Sequence, residues 1–188
     1  NLGVVVADVV GKGVAASLMM ASVRAALRSH AKSMYDIDRI IQQVNRDFCR
    51  DTLISEFVTA VYGVFSPDGS RFTYCNAGHE PSLLLRGGRI TRLETGGPVL
   101  GIDPNAEFEK SVVELHSGDV ILLFTDGLPE GLDFDETAYG RARVEESLRR
   151  HAALDAPEMA AQVLWDLRRF RGLADPSDDV TIVTVKVV

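Results

Sequence analysis

The sequence is poor in the residues and segments that define several classes of protein. It has two cysteines, Cys49 and Cys75, without CxxC spacing or a His/Cys cluster, which argues against a disulfide scaffold or a zinc site and favours a reducing, cytoplasmic location. No apolar run approaches the roughly 20 residues of a membrane span. Basic residues are fewer than acidic ones, with 20 Lys and Arg against 27 Asp and Glu. The resulting net charge of −7 argues against nucleic acid or an anionic membrane as the partner.

What remains is the composition of an ordinary folded protein. Hydrophobic residues make up 46% of the 188 residues and charged residues 25%, which suits one domain with a sizeable core. The sequence opens at Asn1 directly on the strand-like run 2–7, without a turn or cap before it. We therefore expect residues 1–188 to be a single domain that lacks its first strand or strands.

The spacing of apolar residues predicts an α+β domain. Strands come in runs and helices in pairs, rather than in strict alternation, which favours antiparallel sheet covered by helices. Asp36 is expected to cap the second helix. The predicted helices are 14–31, 37–50, 143–152 and 158–171, and the predicted strands are the hairpins 57–65 with 71–76, 82–86 with 89–93, and 109–115 with 120–124, together with 2–7 and 179–188.

Carboxylates stand beside three strongly apolar strands. Asp8 follows residues 4–7, Asp126 follows 120–125, and Asp178 and Asp179 precede the last strand. If these strands are central, their ends bring the carboxylates together, and several carboxylates near a core require a cation. An all-oxygen set favours Mg²⁺ or Mn²⁺ over zinc. Taken singly, each Asp is more simply a turn or cap residue, but nearby glycines allow backbone oxygens to approach a metal.

Two other known motifs are alternative interpretations of the turn after the first strand. Residues 11–16 (GKGVAA) match the dinucleotide fingerprint G-x-G-x-x-G/A between a strand and a helix, which would make the protein a nucleotide-binding oxidoreductase. That fingerprint needs a second parallel strand ending in an acidic residue, whereas a second helix and antiparallel strands follow here. A phosphate-binding P-loop fails because Val6 replaces its first glycine and Gly13 its Ser or Thr.

Four ordered motifs resemble the metal-dependent PPM-type (protein-phosphatase-2C-like) serine/threonine phosphatases. The similarity is greatest to the bacterial branch of sigma-factor regulators typified by the stage II sporulation E and RsbU-type phosphatases. The motifs are DVVGKG at 8–13, YCNAGHEP at 74–81, TDG at 125–127 and DDVT at 178–181.

The resemblance implies a fold, a cofactor and ligands. The fold is a two-layer antiparallel β-sandwich flanked by helices, and the cofactor is a pair of Mn²⁺ or Mg²⁺ ions that activate a water. Metal ligands carried over by motif are Asp8, the carbonyl of Val9, Asp126 and Asp178. The family has a further acidic ligand in a G-G-D motif on a preceding strand, and no such motif lies before Asp8. That departure leaves open whether this sequence carries a complete site.

Supporting roles are expected for four further residues. Lys12 stands where other members of the family have a histidine, and it could donate a proton, attract phosphate or be a solvated turn lysine. His79 is more simply a hydrogen-bonded structural residue than a ligand. Asp179 and Gly127 are expected to support the ligands beside them.

The resemblance implies a protein phosphatase that acts on phosphoserine or phosphothreonine of a regulatory protein, with an anti-sigma-factor antagonist as the expected substrate. An upstream sensor or receiver domain is expected to act through the first helical pair. The alternative is a catalytically weak or silent interaction domain that keeps the fold and binds the same partner.

Overall fold

The computed structural model describes residues 1–52, 56–176 and 178–188. The chain divides into a first unit, Asn1–His79 with Glu94–Leu115, and a second unit, Glu80–Leu93 with His116–Val188. The elements follow in the order β1 (Leu2–Val9), α1 (Val14–Ser33), α2 (Ile37–Asp51), β2 (Val58–Phe65), β3 (Arg71–Ala77), β4 (Ser82–Arg86), β5 (Arg89–Leu93), β6 (Gly96–Gly97), β7 (Ser111–Glu114), β8 (Val120–Phe124), α3 (Arg141–His151), α4 (Ala156–Arg171) and β9 (Ile182–Lys186).

The first unit is a sheet with one helical pair. Strands β1, β2 and β3 are antiparallel neighbours, and β3 also pairs with the short β6 in parallel and with β7 in antiparallel fashion. Burial raises the pKa of the Cys75 thiol on β3 to about 12, so this cysteine is an inert core residue. The stripe predicted for α2 is buried: Ile37, Ile40, Ile41, Val44 and Phe48.

The second unit has its own sheet and helical pair. Its strand order is β5-β4-β8-β9, with every neighbouring pair antiparallel. All five residues of β8 are buried, which is why its sequence is continuously apolar rather than alternating. Helices α3 and α4 share a polar contact, because Asp166 of α4 accepts hydrogen bonds from Ser147 Oγ at 2.8 Å and His151 Nε2 at 3.0 Å.

Most sequence-based element predictions are confirmed. The four helices are present with ends that differ by a few residues, and the first two predicted hairpins are the pairs β2–β3 and β4–β5. The predicted α+β class built on antiparallel sheet is therefore confirmed. Asp36 does occupy the N-cap position of α2, but its side chain makes no capping bond; it accepts a hydrogen bond from Lys110 Nζ at 2.7 Å instead.

The third predicted hairpin is wrong. Strand β7 pairs with β3 in the first unit, whereas β8 pairs with β4 and β9 in the second. The turn between β7 and β8 is therefore a crossing between sheets. Its last residue, Asp119, is buried and binds Arg86 Nη2 at 2.6 Å and the backbone N–H of His116 at 2.8 Å, so the turn is fixed to β4.

The final strand is shorter than predicted. It begins at Ile182 rather than at Asp179, and the residues before it run as an irregular segment. In the part of the chain that the structure describes, no helix has the length and apolar character needed to cross a bilayer.

Candidate functional site

Asp8 lies inside strand β1 rather than after it. It is half-buried, and its cross-strand partner in β2 is Thr59. Its Oδ1 accepts a hydrogen bond from the backbone N–H of Val9 at 2.8 Å. Val9 itself is part of the core of the first unit, so the side chain of Asp8 is held at the end of a well-packed strand.

His79 is a structural residue that supports this strand end. The histidine is buried, and its Nδ1 lies 2.8 Å from the hydroxyl of Thr59, which also lies 3.4 Å from the carbonyl oxygen of Asp8. Asn76 fixes the His79 backbone by donating from Nδ2 to its carbonyl at 2.9 Å and accepting from its N–H at 2.7 Å. These bonds account for the N-A-G-H spacing: the asparagine closes the loop whose histidine reaches across to β2.

The turn after Asp8 needs both of its glycines. Gly11 and Gly13 have φ of 92° and 83°, values that side chains other than glycine rarely adopt. Lys12 between them is exposed. Helix α1 then begins without a capping side chain and without an acidic residue in its first turn, so nothing acidic there offsets the positive end of the helix dipole.

Asp126 carries the most informative atom of the second unit. The residue follows buried Thr125, and its Oδ1 is buried and accepts no hydrogen bond from the described residues. Buried carboxylate oxygens are normally hydrogen-bonded, and leaving one unpartnered costs about 1–3 kcal/mol. An unpartnered carboxylate oxygen of this kind is available to coordinate a cation.

Backbone contacts bring the segment before β9 against Asp126. Thr125 Oγ1 accepts from the N–H of Thr181 at 3.0 Å and donates to the carbonyl of Asp179 at 3.3 Å. A Cβ added to Gly127 would collide with that same carbonyl, so only glycine permits the close approach. The structure therefore brings Asp126 and the Asp178–Asp179 segment together, with both Asp178 and Asp179 exposed.

The predicted site residues are thus found in two sets. The first unit holds Asp8, Val9, Lys12 and His79, and the second holds Asp126, Gly127, Asp178 and Asp179. Over the residues described, no three or more His, Cys, Asp or Glu side chains form a group that could hold a metal ion.

Sequence reasoning missed two threonines. Thr125 lies within the T-D-G motif, where its hydroxyl could have been suspected, whereas Thr59 belongs to no motif and is identified only through its pairing with Asp8. Each hydroxyl ties a segment that bears a predicted ligand to a neighbouring segment of its own unit.

The donor set fits a hard divalent cation. Every predicted ligand offers oxygen, and oxygen is the donor preferred by Mg²⁺ and Mn²⁺. The unpartnered Oδ1 of Asp126 is an independent observation in favour of such an ion.

The motifs and the geometry agree with comparisons to known proteins. The sequence matches the family of Stage II sporulation protein E (SpoIIE) over residues 1–188. The chain belongs to the SpoIIE family. Phosphoserine phosphatase RsbU of Bacillus subtilis (strain 168) is 27% identical over 188 residues, which cover 99% of this chain and 56% of RsbU.

Solved structures confirm the PPM-type fold. The RsbU and RsbW domains of Rv1364c from Mycobacterium tuberculosis superpose with a TM-score of 0.84 at 28% identity, covering 98% of this chain and 52% of that one. The catalytic domain of the serine/threonine phosphatase PstP, in complex with two manganese ions, has a TM-score of 0.72 at 20% identity and covers 99% of this chain and 88% of its own. The SpoIIE-family chain spans about half the length of RsbU and of the Rv1364c structure.

Proposed function

We propose that this chain is a metal-dependent protein phosphatase that hydrolyses phosphoserine or phosphothreonine on a regulatory protein. The observation that carries the proposal is the buried, unpartnered Oδ1 of Asp126 beside the Asp178–Asp179 segment, in a member of the SpoIIE family. A phosphatase of this kind needs carboxylates that remain available to a cation.

In the proposed site, Asp8, the carbonyl of Val9, Asp126 and Asp178 hold Mn²⁺ or Mg²⁺. The bound ions would neutralise charge on the phosphoryl group and activate the attacking water. Two hydroxyl groups support the backbone of the segments that bear these proposed ligands: that of Thr59 lies 3.4 Å from the carbonyl oxygen of Asp8, and that of Thr125 lies 3.3 Å from the carbonyl oxygen of Asp179, next to Asp178.

Lys12 serves the substrate rather than the metal in this proposal. It is exposed in a turn with two positive-φ glycines, directly before the uncapped end of α1. A cation there attracts the doubly charged phosphoryl group of the substrate, and the first-turn N–H groups of α1 add to that attraction. Asp179 and Gly127 are proposed to shape the site without binding metal: the absence of a side chain at Gly127 allows the carbonyl of Asp179 to approach closely.

The substrate we propose is a phosphorylated anti-sigma-factor antagonist. Support comes from the bacterial branch that the motifs resemble and from the printed name of a relative, Phosphoserine phosphatase RsbU. The acidic net charge of −7 matters here, because an acidic phosphoprotein needs local positive charge to approach.

The test is phosphate release from phosphoserine and phosphotyrosine peptides, with Mn²⁺ and with a chelator. We expect Mn²⁺-dependent release from the phosphoserine peptide alone, and a loss of at least a hundredfold in Asp126→Asn because a ligand charge is removed at nearly constant shape. Asp175→Asn, the same change at an exposed carboxylate of the second unit, is the matched control. Full activity in Asp126→Asn would contradict the ligand assignment, and silence of the unaltered chain would favour the interaction-domain alternative.

A further inference from the structure

The outward side of helix α4 carries the one tryptophan of the chain. Met159, Val163 and Leu167 of the same helix are buried, and at 3.6 residues per turn Trp165 points away from them. Its side chain is 58% exposed. An indole in that position contributes little to the core of the second unit and is accessible to a partner.

Two arginines adjoin the indole on the same side of the helix. Arg168 and Arg169 lie one turn after Trp165, Ala161 lies one turn before it, and all are exposed. Ala161 is too small to cover the ring. We call these four residues the α4 outer face.

The two arginines differ from others in their unit. Arg86 pairs with Asp119, Arg92 with Glu145 and Arg141 with Glu80. By contrast, neither Arg168 nor Arg169 makes a side-chain hydrogen bond or ion pair with any residue in the described part of the chain.

Helix electrostatics explain only part of this arrangement. Cations in the last turn of a helix interact favourably with its dipole. That effect places arginine near the end of α4 but gives no reason for an exposed tryptophan beside it. Tryptophan and arginine together are the residues most enriched at the centres of protein interfaces, where an aromatic anchor is surrounded by groups that exclude water.

Charge indicates the kind of partner. The chain has a net charge of −7, so a site with two unpaired guanidinium groups and a flat indole is a local exception to the overall charge. Glu158 lies two turns before Trp165 and is exposed, which makes one end of the helix surface acidic and the other basic. A partner with acidic residues would be attracted to the Arg168–Arg169 end only.

We propose that the α4 outer face docks an acidic segment of a partner protein. An aliphatic side chain of that segment packs on the indole of Trp165, and flanking carboxylates pair with Arg168 and Arg169. Guanidinium groups suit this role because they pair with carboxylates in a bidentate manner. The surface is independent of the proposed phosphatase site, since none of its residues is a predicted metal ligand or a contact of one.

The single tryptophan gives a direct assay, because fluorescence excited at a wavelength longer than the absorption of the four tyrosines reports Trp165 alone. The probe is a synthetic peptide of four Glu-Leu-Leu-Glu repeats, and its counterpart has Lys in place of Glu. We expect the acidic peptide to shift Trp165 emission to the blue with saturation, the lysine peptide to leave it unchanged, and salt of about 0.5 M to weaken the effect.

Variants separate the proposed contacts from general electrostatics. The double variant Arg168→Gln/Arg169→Gln should bind the acidic peptide about tenfold more weakly, since exposed pairs each contribute about 0.2–1 kcal/mol. Arg24→Gln/Arg28→Gln removes the same charge from exposed positions of α1 and should bind like the unaltered chain. Trp165→Ala is measured by the anisotropy of a fluorescein-labelled peptide and should lose most of the affinity, with circular dichroism confirming that it is folded.

Other outcomes overturn the proposal. They are an equal response to both peptides, no response to either, or equal weakening by the two double variants. An emission shift with phosphatidylserine vesicles but not with the acidic peptide would assign the face to a membrane surface. A shift that depends only on the concentration of the chain would assign it to a second copy.

Discussion

The unpartnered oxygen of Asp126 predicts that Asp126→Asn changes stability in opposite directions with and without metal. In the absence of metal, the carboxylate keeps a buried Oδ1 that accepts no hydrogen bond within the described residues. Replacing it with the neutral amide removes a charge while preserving shape. The amide is easier to desolvate than the carboxylate, so the variant should be the more stable protein under these conditions.

The expected size follows from the cost of an unpartnered polar atom. That cost is about 1–3 kcal/mol for full burial, and Asp126 is only half-buried as a residue, so we expect a gain of about 1 kcal/mol. For a protein of this size the gain corresponds to a rise in Tm of about 2–4 °C.

Metal should reverse the order. A ligand that binds only the folded protein stabilises it by about 2.7 kcal/mol when its concentration is a hundred times its Kd. The unaltered chain should therefore gain roughly 5–11 °C in Tm at saturating Mn²⁺. Asp126→Asn should gain much less, because one ligand charge is lost.

The assay is thermal unfolding followed by circular dichroism, with Mn²⁺ and with a chelator, for the unaltered chain, Asp126→Asn and Asp175→Asn. The control variant should behave like the unaltered chain in both conditions. Two results would refute the reasoning: a fall of several degrees for Asp126→Asn in the chelator, or equal stabilisation of that variant and the unaltered chain by Mn²⁺.

Three further substitutions test contacts around the site and the fold. Thr125→Val removes the hydroxyl that holds the segment before β9, so urea unfolding should show that the free energy of unfolding falls by about 1–2 kcal/mol. An unchanged urea midpoint would show that these hydrogen bonds do not stabilise the fold. Burial raises the pKa of Asp119, but the hydrogen bonds from Arg86 and from the His116 N–H, together with the charge of Arg86, outweigh burial and the pKa is lowered. The stabilisation by this carboxylate is therefore present above about pH 4 and lost as pH falls through the lowered pKa. Asp119→Asn should therefore flatten the acid loss of unfolding free energy below about pH 4, and parallel pH profiles would contradict this. Gly78→Ala should lower the free energy of unfolding in urea by at least about 2 kcal/mol, because φ is 66° and a Cβ there would lie 2.5 Å from Val99 Cγ1. An unchanged free energy of unfolding would show that the loop backbone can rearrange at little cost.

Helices and strands with strong periodicity could be predicted from the sequence, but the pairing of the strands into sheets could not. The apolar stripe of α2 predicts its buried face correctly because it depends only on local spacing. The segments around β7 and β8 look like a hairpin locally, yet their strands belong to different sheets. Strand β7 pairs with β3, and β8 pairs with β4 and β9. These pairings, like the bond between Asp119 and Arg86, join residues far apart in sequence, which no local pattern reveals.

The candidate site shows the same division. Asp126 and Asp178 are predicted as ligands from motifs beside apolar strands, and that assignment stays a prediction. His79, interpreted from the sequence as a hydrogen-bonded structural residue, is buried and hydrogen-bonded. Thr59 could not be predicted as part of the candidate site, because it meets Asp8 only through the antiparallel register of β1 and β2, and the two residues are 51 apart in sequence. Gly127 was expected to support a ligand, and its observed role is to admit the carbonyl of Asp179.

The central proposal is that Asp8, Asp126 and Asp178 are ligands of divalent ions, and Mn²⁺ titration followed by electron paramagnetic resonance tests it most directly. The unaltered chain should bind Mn²⁺ with saturation, and Asp8→Asn, Asp126→Asn and Asp178→Asn should each weaken binding at least tenfold, with Asp175→Asn unchanged. Mn²⁺ binding that is unchanged by Asp8→Asn but weakened by Asp126→Asn, or unchanged by all three substitutions, would contradict these ligand assignments.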